Sequence, residues 1–549
     1  MRPHLPTLLF AATALTLPAQ TTQSATPHLE RRGPTTQIIV DAKPFVMLSG
    51  ELLNSSSSSL DYMKPIWPRL AADGLNTVIT PLSWELIEPS EGTFDFALVD
   101  GLLAQARENH ERIVFLWLAA WKNGVSSYPP LWVKRDTRRF PRVIENGNEI
   151  NTLSTLAELS NATRDADARA FTALMQHIRQ IDSDHTVLMM QVENEVGVLG
   201  AARDHSPAAD RAFGGPVPAA LTAYLKAHRD ALDPELTTLW QGNGERTSGT
   251  WTEVFGNSAR ADEIFMAWNY ALYVHTVAAR GKAAYALPMY VNTWLAGRDT
   301  TPGDYPSGGP QPRVIDIWRA AGASLPSGPG LDLYAPDLYA ADFSGFARRY
   351  HRDGNPLFLP ETNGGEAGAA NVFYALGEHA ALGFSPFAID VALDADTTLA
   401  PSYKALAEVA PLLLAAQATG SATEPNSHGF VLDNNHPSVD FTMQGNTVHI
   451  SLDEIFGHKT EKGFGLIFAT GPDTYVGVGK GFRVLITPRN NTIGKQDHIG
   501  LSTVDEGHFA DGDWQPGRRL NGDETDQGSY WRFSPRAITI EKATFYHYE

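Results

Sequence analysis

Residues 188–197 read L-M-M-Q-V-E-N-E-V-G: an apolar run that passes directly into two acids, Glu193 and Glu195, separated by Asn194. Burying a charge is costly unless it is paired or has a task. A strand of this kind ending in carboxylates therefore points to a place where a core opens into a cleft.

The same texture recurs along the chain. Short apolar runs occupy 45–52, 76–85, 112–121, 185–195, 287–294, 331–339, 355–362 and 383–390, each rich in β-branched or aromatic residues. Amphipathic stretches lie between them, such as Phe171, Leu174, Met175 and Ile178 at helical spacing. Strand alternating with helix implies parallel strands joined by crossover helices, and eight such units make a (β/α)8 barrel, a TIM barrel of the α/β class. In that architecture the chemistry sits at the C-terminal ends of the strands. Most of the runs end in polar or aromatic residues: Glu51, Trp84, Trp121, Lys122, Glu195, Asn292, Trp294, Tyr339, Glu361 and Asp390.

The barrel is expected over 38–417 and a linker over 418–429. Over 430–549 alternating strands are divided by Gly, Asn, Asp and Pro, which reads as a smaller all-β, sandwich-like domain. Residues 1–25 have the layout of a signal peptide, with Arg2, an apolar stretch and small residues, and 26–37 reads as a polar linker. Export to the periplasm or the medium is expected, with no membrane association after signal removal.

Composition narrows the function. A net charge of −19 argues against an electrostatic nucleic-acid binder. With no cysteine, thiol catalysis and Cys-based zinc sites are excluded. The histidines lack metal-ligand spacing, and neither a nucleotide-binding glycine motif nor a serine-hydrolase elbow occurs, so no cofactor and no metal are expected. The 12 Trp and 17 Tyr fit a carbohydrate partner and equally fit ordinary core packing.

A glycosidase needs two carboxyl groups flanking the scissile bond, one protonated and one ionised. Glu195 ends the fourth run and Glu361 the seventh. Strands three apart in an eight-stranded ring lie nearly opposite, so both side chains can reach one sugar. Asn194 is a candidate contact to the sugar 2-hydroxyl. Glu193 reads as a supporting acid, paired with an Arg or Lys in the barrel mouth, and Glu88 as structural. Trp84, Trp121 and Trp294 are candidate stacking platforms, though each could equally pack loops over the barrel. Glu51 is a candidate hydroxyl ligand, and Tyr339 a candidate partner of Glu361.

Q-V-E-N-E-V-G (191–197) resembles the Q-x-E-N-E-Y-G motif of glycoside hydrolase family 35, the retaining β-galactosidases. G-E-L (50–52), G-L-N-T-V-x-T-x-x-x-W (74–84) and E-P-x-x-G-x-F-D-F (88–96) follow that family's early signature in order. The resemblance implies that Glu195 is the acid/base and Glu361 the nucleophile, and that the C-terminal part is like the β-domain of a bacterial subgroup. The chain departs from the family at Val196, at W-E-L-I-E-P (84–89), and at Ala120, where an acid is usual before Trp121. The third-strand subsite is thus rebuilt, with Lys122 and Asn123 as replacement sugar contacts. The activity expected is exo-β-galactosidase action on plant-type oligo- or polysaccharides, xyloglucan side chains first. The alternatives are the same chemistry on a glucoside, mannoside or arabinoside, and a non-catalytic carbohydrate-binding barrel.

Overall fold

The computed structural model describes residues 26–145, 148, 149, 155–392, 398–455, 457–489, 497–510 and 512–548. The expected signal peptide, 1–25, lies outside the described residues.

Eight parallel strands close a barrel: β1 (Met47–Glu51), β2 (Thr77–Ser83), β3 (Arg112–Lys122), β4 (Val187–Asn194), β5 (Met289–Trp294), β6 (Leu333–Leu338), β7 (Leu359–Thr362) and β8 (Gly383–Pro386). The ring shuts where Gly383 of β8 pairs with Met47 of β1. Strands covered on both faces need apolar residues at every position. R-I-V-F-L-W-L-A-A-W supplies them, and β3 is buried from Ile113 to Trp121.

The crossover helices follow from capping and periodicity. The helix Asn161–Ile181 starts at Ser160, whose hydroxyl accepts from the Thr163 N–H, and buries Phe171, Leu174, Met175 and Ile178. It is followed by Asp182, whose carboxylate takes the N–H groups of Thr186 and Val187 and pairs with Arg107. That anchors the entry to β4.

The stretch 26–37 is not a linker. His28–Arg32 and Thr35–Val40 form an antiparallel hairpin extended by Lys43–Phe45. Ile38 and Val40 join Met47, Ile79, Val114, Tyr290, Leu333 and Phe358 in one cluster, so the hairpin plugs the N-terminal end of the barrel. Asp41 ties it down through Arg112 at 2.8 Å. Burying Ile38 and Val40 contributes about 1.5–3 kcal/mol each, which a free linker would forgo.

The last barrel helix, Leu399–Thr419, runs into the expected linker, and the first strand beyond it starts at Ser427, not 430. Ser427 Oγ donates to the Gly377 carbonyl of the helix Gly365–His379, which fixes that start. Two antiparallel sheets follow, of six and four strands. They enclose Phe430, Ile450, Ile467, Tyr475, Phe482, Trp531 and Phe533. Along Gly463–Gly471 alternate residues face opposite ways: Ile467 enters that core, while Phe464, Leu466 and Phe468 join the barrel's own cluster. Gly429 lets the backbones approach; a Cβ there would lie 2.2 Å from the Phe373 carbonyl oxygen. Among the described residues no helix is long and apolar enough to cross a membrane.

Candidate active site

At the end of β4 the backbone leaves the extended conformation. Glu193 and Glu195 have φ of 63° and 45°, a left-handed region that costs residues with a Cβ on the order of 1–3 kcal/mol. Hydrogen bonds over-determine it. Glu193 accepts the N–H groups of Ala120 and Trp121 with its two carboxylate oxygens, and the Glu195 N–H donates to Asn292 Oδ1 at 2.8 Å. Glu193 therefore has backbone amides as partners, not the Arg or Lys expected. It lies beside Asp167 of the helix Asn161–Ile181, and burial and that aspartate hold its carboxyl well above the usual range.

The turn carries Asn194 and Glu195 to the mouth, opposite Glu361 of β7. Glu361 Oε1 accepts from Asn194 Nδ2 and from Asn292 Nδ2, both at 3.2 Å, and Oε2 accepts from the Tyr339 hydroxyl at 3.1 Å. Three donors on one carboxyl group fix its orientation and leave its lone pairs, not a proton, facing them. Asp337 of β6 is register partner to Glu361 and takes the Asn292 amide at 2.8 Å. One carboxylate oxygen from each of Glu195, Asp337 and Glu361 lies within 4.8 Å of the other two.

Glu195 is pushed up to about 7, chiefly by burial and then by the charge of Glu361; Asp337 and Lys122 pull the other way. Asp337 is raised well above the usual carboxylate range by burial, Glu361 and Glu195. Its Oδ1 meets no N–H or O–H donor, so the contact with Glu195 becomes a hydrogen bond only when one of the two carboxyls carries a proton. Lys122, at the end of β3, is disfavoured as a cation by burial, yet the carboxylates of Glu361, Glu195, Glu51 and Asp337 outweigh this and raise it. A hard cation would take such a group of oxygens, but on Glu361 it would have to displace three donors. The arrangement suits proton transfer and attack on carbon.

Of the other residues expected at the site, Glu51 ends β1, buried, with Glu361, Lys122 and Glu195 acting on it. Asn123 follows Lys122 in a left-handed conformation, its Oδ1 buried without a partner. Trp294 and Tyr339 are exposed. Trp84 and Trp121 are not stacking platforms. Both are fully buried; the Trp84 indole donates to Glu88 Oε2 at 2.8 Å, and the Trp121 indole donates to the Leu156 carbonyl and packs on Tyr270 and Tyr273. Glu88 also takes the Gly92 N–H and pairs with Arg169, a structural role. Sequence reasoning noted Asn292 as a polar end of its run but gave it no role at the site, and it missed Asp337. The only signal was a polar residue inside each apolar run.

The fold and this centre define a barrel of glycosidase type, with two glutamates converging from β4 and β7. Residues 63–255 match the family model of glycoside hydrolase family 42, described as Beta-galactosidase, and residues 399–532 match a domain of unknown function, DUF5597. The barrel segment is thus similar to β-galactosidase-like glycoside hydrolases, through family 42 where the motifs resemble family 35. A beta-galactosidase of Xanthomonas manihotis is 31% identical over 214 residues, 37% of this chain and 32% of that protein. The chain therefore spans about a third of that relative's length. Among solved structures, beta-galactosidase from Bacillus circulans sp. alkalophilus aligns with a TM-score of 0.46 and 14% identity, over 68% of this chain and 57% of that one. Beta-1,4-D-mannanase from Cryptopygus antarcticus aligns with 0.39 and 11%, over 71% and 95%.

Proposed function

We propose that the protein is a retaining, exo-acting β-galactosidase, working by double displacement as a family 35-like enzyme. Glu361 attacks the anomeric carbon while Glu195 protonates the departing glycosidic oxygen. Glu195 then takes a proton from water, which hydrolyses the glycosyl-enzyme. The observation that carries this reading is the approach of the two carboxylates to within 4.8 Å. Carboxyl groups about 5–5.5 Å apart accompany retention, whereas about 6.5–9.5 Å leaves room for the water of an inverting enzyme. The burial of Glu195 and Glu361, 6% and 4% exposed, favours a pocket for a terminal sugar over an open groove.

Galactose is favoured by the family 35 motifs and the match described as Beta-galactosidase. Plant-type oligo- and polysaccharides, xyloglucan side chains first, are the proposed natural source, and the signal-like N-terminus supports export to the periplasm or medium. The rebuilt third strand, Ala120 with Lys122 and Asn123, favours a second reading: the same chemistry on a β-glucoside, β-mannoside or arabinoside. A panel of aryl glycosides, followed by NMR of the anomer first released, decides between these sugars. Hydrolysis of none of them would overturn the proposal, and first release of the α-anomer from a β-galactoside would overturn retention.

A further inference from the structure

Glu51 is the carboxyl group of the pocket with the fewest partners. It ends β1 with no exposed surface, and neither of its oxygens has a hydrogen-bond partner. Around it stand Glu361 from β7, Glu195 beyond β4, Asp337 from β6 and Tyr339 just beyond that strand, Tyr290 from β5 and Lys122 from β3. Three further carboxyls face it, and the single ammonium serves them all. An ionised Glu51 would be a buried anion without a donor, beside like charges, which proteins avoid by keeping the proton.

We infer that Glu51 binds the terminal sugar as a neutral carboxylic acid, presenting one O–H donor and one carbonyl acceptor to a sugar hydroxyl. A hydroxyl both gives and accepts a hydrogen bond, so it complements an acid whose two oxygens are otherwise unpaired. Asn194, whose amide donates to Glu361, has an Oδ1 that also lacks a partner, which points to the same class of ligand, an uncharged polyhydroxy ring. A uronic acid would bring a further anion among these carboxyls and is rejected. The inference rests on the glycosidase reading for its substrate but not for the proton.

Two measurements separate these claims. Isotope-edited infrared difference spectra of the full chain, wild type minus Glu51→Gln at pH 7, report the protonation of Glu51 whether or not any glycoside is cleaved. A protonated-carboxyl band lost in the variant is expected; loss of an ionised-carboxylate band instead overturns the inference. Kinetics on an aryl β-galactoside then report recognition. Glu51→Ala is expected to lower kcat/KM by about 100-fold or more, mainly through KM, because polar groups of sugar and site lose their partners. Glu51→Gln, an uncharged isostere with one donor face and one acceptor, is expected to recover all but about tenfold of that loss. Equal impairment in both variants, or an unchanged KM in Glu51→Ala, overturns recognition by a neutral acid. If the wild type cleaves no glycoside, the glycosidase reading fails separately, and a thermal shift with free galactose against galacturonate takes the place of the kinetics: stabilisation by galactose alone is expected, and equal stabilisation by both overturns the selection.

Discussion

Asn194 donates its side-chain amide to Oε1 of Glu361 across 3.2 Å, so the residue adjoining one carboxylate steers the other. Its Oδ1 is buried and has no partner, and is therefore available to a sugar hydroxyl. Asn194→Ala is expected to lower kcat/KM on an aryl β-galactoside by about 10²-fold or more. The wild type should discriminate against the 2-deoxy analogue, and the variant should lose most of that discrimination. Steady-state kinetics on the two substrates form the double-mutant cycle that checks it.

Glu195 must be protonated to act as the acid, and it titrates at about 7. kcat/KM should therefore fall as pH rises through about 7, and a profile flat from pH 5 to 9 would contradict the assignment. Glu195→Ala should nearly abolish cleavage of substrates with poor leaving groups while sparing activated aryl glycosides, and azide should restore turnover with a β-glycosyl azide as product. Glu361→Gln should lose about 10³-fold or more on every substrate.

Asp337 bears on the same limb with a defined sign. Its hydrogen bond lowers the pKa of Glu195. Asp337→Ala removes that bond and leaves Asn292 Nδ2 without its 2.8 Å acceptor. The basic limb should move to higher pH while kcat drops by about 10-fold or more. Asp337→Asn, which can still donate to Glu195, should shift the limb less. The pH dependence of kcat/KM for the three proteins tests this.

A stability prediction concerns Glu111, at the start of β3 and far from the mouth. Burial pushes it up to about 8, and neither of its oxygens has a partner. Below its ordinary value of 4.5 it is protonated in both folded and unfolded chains and costs nothing. Between about 4.5 and 8 the unfolded chain releases the proton and the folded one keeps it, so stability declines as pH rises. Glu111→Gln should remove this decline. Its gain in Tm over wild type should be large at pH 8 and near zero at pH 4.5 by thermal unfolding.

Much of this was legible in the residues because strands buried on both faces leave an unmistakable run of apolar positions. Glu195 and Glu361 stood out as carboxylates ending such runs. Trp84 and Trp121 misled because position at a strand end says nothing about which face a side chain takes; their indoles turn to Glu88 and to the Leu156 carbonyl. Asp337 was invisible as a site residue because its meaning lies in register, Asp337 opposite Glu361, and register belongs to the closed barrel. The N-terminal hairpin was missed because His28, Glu30, Arg31 and Arg32 give its outer strand the composition of a tether.

The strand Gly463–Gly471, which carries Phe464, Leu466 and Phe468 toward the barrel and Ile467 away from it, is buried on both faces from Gly463 to Ala469. Cutting the gene after Thr419 would strip a greasy wall on both fragments, and neither would be a portable module. Anyone trimming or shuffling this protein inherits the two parts as one indivisible body, which ties the fate of the reaction centre to a region outside the barrel.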